Sequence, residues 1–323
     1  MRIASDYSIN NYILHEISEI IKDFNIIVSK RILQDFPKEF LKDSIPNKCR
    51  FCGRSFPKVS FNSEAHSIPQ FIGNKSLISL FECDPCNKEY FNSFENEFAN
   101  FMLPHNAMSG TKTRKNKITK YKQVGQPLIK SNNEKILLES VPDSIINKSE
   151  ADRFEIKVKI PSFIPEYIYR CLVKIALSII PEDKLTNYKG TIKWLMNREI
   201  ESNLKPAMLF SMYPFHIQSN EIRCVVLERK DISNKNVPHS IFFLSYNNFA
   251  FQTYIPFNSK EKIGIKLKSF PFVFPMTIDL NIEYSGLKTL NFIDLSSKEK
   301  KTDEIITYTI LGERSILDKN NGG

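Results

Sequence analysis

The chain has 323 residues, and 45 Lys and Arg against 36 Asp and Glu give it a formal net charge of +9 at pH 7. A basic balance favours an anionic partner such as nucleic acid. Hydrophobic residues make up 41% of the chain, enough for folded cores. No apolar run reaches the roughly eighteen residues that a membrane span needs. The N-terminal MRIASDYSIN lacks the apolar core of a signal peptide, so we expect a cytoplasmic protein.

The first predicted element is an amphipathic helix over residues 9–31, within an N-terminal helical segment at 1–48. Its apolar residues recur at helical spacing. They are Ile13, Ile17, Ile20, Ile21, Phe24 and Ile27. Pro37 breaks this pattern, and a short helical segment is predicted near Lys38–Leu41. Packing of the long helix within the chain is favoured over dimerisation or binding to another domain.

Four of the six cysteines form two CxxC pairs, Cys49/Cys52 and Cys83/Cys86. Pairs separated by about thirty residues can place four thiolates at the corners of one tetrahedron, the geometry that zinc prefers. A four-cysteine site has no open coordination position, so the predicted zinc is structural. Cysteines concentrated in metal spacing also indicate a reducing compartment. The remaining cysteines, at positions 171 and 224, are predicted to be buried apolar residues.

The stretch around these pairs reads as strand, strand and helix. Lys58–His66 and Leu77–Phe81 predict the strands, and Asp84 and Pro85 suit the first turn of a helix. Along Asn87–Met102 the aromatic residues form one apolar stripe. They are Phe91, Phe94, Phe98 and Phe101. This unit, assigned to 49–110, is too small to bury a core alone, so the metal would supply the missing stability.

Four short motifs in this unit carry a resemblance to a known family. They are C-x2-C at 49–52, E-A-H-x-I-P at 64–69, G-N at 73–74 and C-x2-C-N at 83–87. Together they resemble the HNH (ββα-metal) endonuclease family, in its four-cysteine branch. The resemblance covers about fifty residues. It implies an α+β fold with a zinc-stabilised ββα-metal unit.

The resemblance also implies roles for individual residues. His66 would be the general base that activates water, and Asn87 a ligand of the catalytic divalent metal. Asn74, in the loop between them, would orient the base. The family often has an acidic metal ligand immediately before the base, where this chain has Ala65. On a strand Glu64 would face the same side as His66, from where it could reach the metal.

Phosphodiester hydrolysis needs a deprotonated water and a cation for the charge that builds on the leaving group. A histidine suits the first task near neutral pH, and Mg²⁺ or Mn²⁺ on oxygen ligands suits the second. The alternative is a non-catalytic zinc module that binds nucleic acid or protein, in which His66 is a hydrogen-bonded structural residue. The complete set of motifs favours the nuclease, with DNA as its substrate.

A basic stretch follows the predicted helix, in a connecting segment at 111–150. No acidic residue occurs between Glu97 and Glu134. The basic residues in this interval are Lys112, Arg114, Lys115, Lys117, Lys120, Lys122 and Lys130. Such a stretch could hold a DNA backbone without reading its sequence. The alternative is a solvated linker, and the position beside the zinc unit favours the DNA contact.

Residues 151–323 are predicted to form a mixed, β-rich α+β domain. A strand is predicted at 154–160 and helices at 166–180 and 184–197. Arg170 and Lys174, one turn apart on the first helix, could bind an anion, but solvation of both is favoured. Strands follow, with a hairpin turn at 246–249. The predicted strands lie at 208–215, 222–229, 240–257, 263–270, 272–282 and 305–312.

Two tasks for this domain stay open. It could sense a nucleotide signal or bind a regulatory protein, as the layout resembles that of HNH effectors in bacterial anti-phage defence. It could instead position DNA and form a homo-oligomer. No phosphate-binding glycine loop and no second catalytic motif are present in the sequence of this half.

Overall fold

A computed structural model describes residues 23–33, 37–113, 116–131, 135–139, 146–150, 153–199, 204–213, 219–230, 237–261 and 289–311. These residues have a mixed α+β fold, as predicted. No helix within these ranges is both long and apolar enough to span a membrane.

The strands of the described residues are numbered in chain order. They are β1 (Phe24–Leu33), β2 (Glu39–Leu41), β3 (Ala65–His66), β4 (Leu77–Ser79), β5 (Leu128–Ser131), β6 (Ile136–Glu139), β7 (Ile146–Glu150), β8 (Arg153–Lys159), β9 (Ala207–Met212), β10 (Glu221–Arg229), β11 (Ser240–Tyr246), β12 (Phe249–Tyr254), β13 (Thr289–Asp294) and β14 (Ile305–Leu311). The helices are α1 (Asn92–Met108), preceded by a π-helical turn (Cys86–Phe91), then α2 (Pro165–Ile179) and α3 (Lys189–Leu195), preceded by a 3-10 helix (Glu182–Tyr188).

Among the described strands, six form an antiparallel sheet in the order β1-β10-β11-β12-β9-β13. Smaller sheets have the orders β14-β8-β7, β2-β4-β3 and β5-β6. The β2-β4-β3 sheet carries the predicted catalytic histidine, and β11 and β12 meet in the predicted hairpin turn at 246–249. The strand, strand and helix order of the zinc unit is therefore confirmed.

The predicted N-terminal helix is wrong from residue 24 onwards. Phe24–Leu33 is instead the edge strand β1, which runs antiparallel to β10. Its β-branched residues suit a strand, and the free edge of β10 supplies hydrogen-bond partners that local helical spacing does not reveal. Residues 9–22 of that prediction lie outside the described residues. The short helix predicted near Lys38–Leu41 is also wrong, because Glu39–Leu41 pairs with β4 as a parallel strand.

Every residue of helix α2 except Tyr167 is buried. The helix packs against α1 on one side and against β10, β11 and β12 on the other. One hydrophobic core runs from the phenylalanine stripe of α1 to the large sheet, where the Phe98 and Phe251 ring centres are 5.4 Å apart. The zinc unit and the C-terminal half therefore share this core.

Several sequence predictions can be compared with these elements. The helix predicted at 166–180 and the strand at 154–160 are present with small shifts of their ends, whereas the helix predicted at 184–197 is a 3-10 helix followed by the short helix α3. Most of the strand predicted at Lys58–His66 is a loop, since only Ala65 and His66 pair. Strand β13 was not predicted, and the strands predicted at 263–270 and 272–282 lie outside the described residues.

Candidate functional site

The four cysteines of the two CxxC pairs meet in one cluster. Their Sγ atoms all lie within 4.8 Å of one another, with 3.8 Å between Cys49 and Cys86 and 3.7 Å between Cys52 and Cys83. A Zn–S bond of about 2.3 Å requires about 3.8 Å between tetrahedral sulfur ligands, so the donor set fits zinc. Within the residues that the structure describes, no other group of three or more Cys, His, Asp or Glu side chains is close enough to hold a metal ion.

Backbone hydrogen bonds shape both halves of the cluster. The Gly53 amide donates to the Cys49 carbonyl at 2.9 Å, with Gly53 in the left-handed region at φ 71°. The Arg54 guanidinium donates to Cys52 Sγ at 3.3 Å and places a positive charge beside the thiol group. The hydrogen bond with Cys86 lowers the pKa of Cys49, which favours the thiolate form that binds metal.

Asp84 ties the start of the helical segment to the loop that leads into β3. Its carboxylate accepts hydrogen bonds from Ser60 Oγ at 2.6 Å, from the Asn62 amide at 3.0 Å and from the Ser63 amide at 2.8 Å, and also from Ser63 Oγ. Burial raises the pKa of Asp84, but these hydrogen bonds lower it by a larger amount. The pKa of Asp84 is therefore well below its usual range. Sequence analysis treated Asp84 only as a helix-start residue and missed this anchoring role.

Asn87 contacts the same loop from the first turn of the helical segment. Its Nδ2 donates to Ser63 Oγ at 3.3 Å, so Ser63 contacts both Asp84 and Asn87. This hydrogen bond uses the nitrogen of the amide and does not engage the Asn87 side-chain oxygen. The segment Cys86–Phe91 is π-helical, a local geometry that is frequent at functional sites.

His66 occupies the end of β3, opposite Ile78 of β4. The residue is buried, with 7% of its surface exposed. Its backbone carbonyl accepts a hydrogen bond from Lys174 Nζ at 2.9 Å. Glu64, two residues earlier, lies at the surface and forms an ion pair with Lys38. The loop anchored by Asp84 thus leads through Glu64 directly to His66.

Asn74 is fully buried in the loop between β3 and β4. Its Nδ2 donates to the carbonyls of Ile68 at 2.8 Å and Leu77 at 3.1 Å, and its Oδ1 accepts from the amides of Ser76 at 3.2 Å and Leu77 at 3.0 Å. These bonds use both donors and both lone pairs of the side chain. In this conformation the Asn74 side chain therefore holds the β3–β4 loop together and has no donor or lone pair left for the His66 imidazole.

The prediction that Arg170 and Lys174 are solvated is wrong, because α2 has no solvent-facing side at these positions. Arg170 is completely buried and pairs with Glu166 at 2.9 Å. Lys174 is 1% exposed and lies 3.2 Å from Glu82 Oε2 and 3.5 Å from Glu95 Oε1. Burial raises the pKa of Glu82 to about 7, although Lys174 opposes the shift. Buried charges require such partners.

The predicted basic stretch begins directly after α1. Its lysines at 112, 117, 120 and 122 are exposed. Arg114 and Lys115 lie outside the described residues. Lys112 bridges to Ile118, and between them Asn116 Oδ1 accepts a hydrogen bond from Lys75 in the β3–β4 loop. The stretch therefore lies beside the loop that follows His66.

Comparison with known proteins agrees with this geometry. Residues 49–103 match the family model of HNH endonucleases, and the matched part contains all four clustered cysteines, His66, Asn74 and Asn87. No curated protein and no solved structure matches the chain. The part of the chain from residue 49 to residue 103 is therefore similar to HNH endonucleases, and its four cysteines are positioned as a zinc-type site.

Proposed function

We propose that this protein is a metal-dependent DNA endonuclease that hydrolyses phosphodiester bonds with His66 as general base. The observation that carries the proposal is the set of hydrogen bonds at Ser63. They join Asp84 and Asn87 to the loop that leads into β3, next to His66. The match of residues 49–103 to HNH endonucleases supports the same roles.

In this mechanism the imidazole of His66 takes a proton from the water that attacks the phosphorus atom. An imidazole suits this step because its ordinary pKa lies near neutral pH. His66 is largely shielded from solvent, which strengthens the electrostatic interactions of its side chain. Asn74 holds the loop between β3 and β4 and so maintains the position of His66.

The Asn87 side-chain oxygen and the Glu64 carboxylate would hold a divalent cation. Oxygen donors of this kind suit Mg²⁺ or Mn²⁺. When bound, such a cation supplies positive charge for the phosphorane and the leaving oxygen. Glu64 would exchange its ion pair with Lys38 for this role. The four-cysteine site has no open position and stays structural.

DNA would approach over the basic stretch after α1. The exposed side chains of Lys112, Lys117, Lys120 and Lys122 supply charge for phosphate contacts without base recognition. The hydrogen bond between Lys75 and Asn116 supports this path, because it joins the stretch to the loop that follows His66.

The proposal extends to control of the nuclease by the C-terminal part. A nucleotide signal or a regulatory protein would act there, as in the defence effectors that the layout resembles, and the active form could be a homo-oligomer. The shared core and the contacts of α2 with the zinc unit support this idea, because they give the C-terminal part a direct route to the site.

Plasmid cleavage by the full-length wild type and His66→Ala tests the proposal. We expect cleavage with Mg²⁺ or Mn²⁺, its loss in EDTA and its loss in His66→Ala, with zinc content, folding and DNA affinity unchanged in the variant. Zinc is measured in the EDTA samples, so that loss of the structural metal is not mistaken for loss of the catalytic one. Equal cleavage by both proteins would contradict the role of His66. No cleavage with candidate activators present would support a non-catalytic zinc module.

A further inference from the structure

We infer that Lys174 is a positioning residue for His66, so that helix α2, outside the matched residues 49–103, completes the nuclease site. The inference rests on the proposed function of His66. Lys174 Nζ donates to the His66 carbonyl at 2.9 Å, and the lysine is 1% exposed. A charged donor makes this hydrogen bond stronger than an ordinary backbone contact.

The ammonium group of Lys174 joins three separate pieces of the zinc unit. One donor reaches the His66 carbonyl in β3, while Glu82 Oε2 lies 3.2 Å away just before Cys83, and Glu95 Oε1 lies 3.5 Å away in α1. An ammonium has three donors, so one side chain can serve all three partners. Lys174 therefore fixes β3 relative to both the second CxxC pair and α1.

Strand β3 needs such a contact because it is only two residues long. It pairs with β4 through Ala65 opposite Ser79 and His66 opposite Ile78. At the peptide plane after His66, the Ser67 amide donates to the Leu77 carbonyl at 3.2 Å, and Lys174 binds the other end of the same plane, the His66 carbonyl. Fixing that carbonyl sets the backbone at His66 and hence the direction of the imidazole. Errors of about 1 Å in such positions can cost 100-fold in rate.

A second interpretation is that Lys174 only neutralises Glu82 and Glu95. Arg170 provides the matched control for that interpretation, because it is a buried cation one turn earlier on the same helix. It pairs with Glu166 and donates to the carbonyls of Trp194 and Leu195, so its hydrogen bonds stay outside β3. Loss of either cation leaves a buried carboxylate without its partner.

The test compares full-length Lys174→Met and Arg170→Met. Single-turnover cleavage gives the rate and KM, and ¹³C-histidine NMR gives the His66 imidazole signal, assigned with His66→Ala. For Lys174→Met we expect a rate loss of roughly 10- to 100-fold, KM within about twofold of wild type, and a shifted His66 signal. For Arg170→Met we expect the wild-type rate and an unshifted signal, at a similar loss of stability.

A double variant, Lys174→Met with Glu82→Gln, covers the case in which the single variant does not fold. It removes the more deeply buried of the two carboxylates that lose their partner but still leaves the His66 carbonyl without its donor, so the same rate loss and signal shift are expected. A folded variant with the wild-type rate and an unshifted His66 signal would overturn the inference. If the wild type does not cleave DNA, the proposed function fails. The NMR signal still decides then whether Lys174 positions His66, and an unshifted signal overturns that role.

Discussion

The guanidinium of Arg50 lies over the ring of Phe81, with 3.5 Å between its central carbon and the ring centre. From there its Nη1 donates to the carbonyls of Leu177 at 2.8 Å and Ile180 at 2.9 Å. These carbonyls are at the C-terminal end of α2, where a helix leaves acceptors without partners and favours a cation. In the sequence Arg50 lies between Cys49 and Cys52, the first CxxC pair. The metal cluster and the cap of α2 therefore depend on each other.

We therefore predict that Arg50→Met lowers the free energy of unfolding by about 2–4 kcal/mol. The variant leaves the Asp43 carboxylate, which pairs with Arg50, and the helix-end carbonyls without their donor. Urea unfolding followed by circular dichroism measures the change. The control is Lys58→Met, an exposed cation of the loop that follows the first CxxC pair, which should have a much smaller effect. Equal losses in both variants would mean that Arg50 does not cap α2.

Loss of the metal should destabilise the whole chain, because the zinc unit shares its core with the large sheet. We predict that Cys83→Ser contains no stoichiometric zinc and unfolds at a lower temperature in a single transition. Cys224→Ser, at a buried cysteine in β10, should retain zinc. Elemental analysis and thermal unfolding measure both properties. If Cys83→Ser melts like the wild type, the four cysteines do not form a stabilising metal site.

Asp84→Asn should release the loop that leads into β3. The Asn amide cannot accept all the hydrogen bonds that the Asp84 carboxylate accepts. Hydrogen bonds to a charged group contribute about 1.5–3 kcal/mol to the free energy of unfolding. We expect a stability loss of that size, faster hydrogen exchange at the amides of Asn62 and Ser63, and slower DNA cleavage. Asp183→Asn, at an exposed position, is the control and should change none of these. Unchanged exchange at those two amides would contradict the anchoring role.

Local patterns predicted those parts of the site whose partners lie close in sequence or repeat regularly. The CxxC pairs, the phenylalanine stripe of α1 and the hairpin at 246–249 are of this kind. The spacing that predicted a helix at 9–31 could not distinguish it from β1, because the edge of β10 that selects the strand lies about 190 residues away in sequence. Lys174 was misread for the same reason, since its partner carbonyl is 108 residues away.

The DNA path can be tested through salt dependence. Replacing Lys117, Lys120 and Lys122 with Gln should weaken DNA binding and reduce the slope of log K against log salt, by about 0.9 for each phosphate that is no longer neutralised. Replacing three other exposed lysines, Lys189, Lys193 and Lys298, makes the same change in net charge. Fluorescence anisotropy from low to moderate salt measures both slopes. Equal slopes in the two triple variants would exclude a local contact by the basic stretch.

His105 makes the stability of the fold depend on pH. It is buried near the end of α1, with its ring centre 5.1 Å from that of Phe210 and its Nδ1 3.0 Å from Tyr308 Oη. Burial lowers the pKa of His105 to about 3 from an ordinary 6.5. Between these two values the unfolded chain binds more protons than the folded one, so stability rises with pH. The folded chain therefore has its full stability, as far as His105 is concerned, above pH 6.5. This stability is lost progressively as the pH falls below 6.5.

For His105 alone this difference predicts a loss of about 2 kcal/mol between pH 7.5 and pH 5. His105→Phe keeps an aromatic ring in place but has no group that binds a proton there. Between pH 7.5 and pH 5 the unfolding free energy of the variant should therefore fall by about 2 kcal/mol less than that of the wild type. Loss of the hydrogen bond between His105 and Tyr308 should cost about 1 kcal/mol at every pH, which shifts the curve without changing its slope. Urea unfolding at pH 7.5, 6.5, 5.5 and 5, with zinc content checked at each pH, measures both curves. Parallel curves would mean that His105 binds its proton in the folded state, so its ring would have to be more hydrated than its burial indicates.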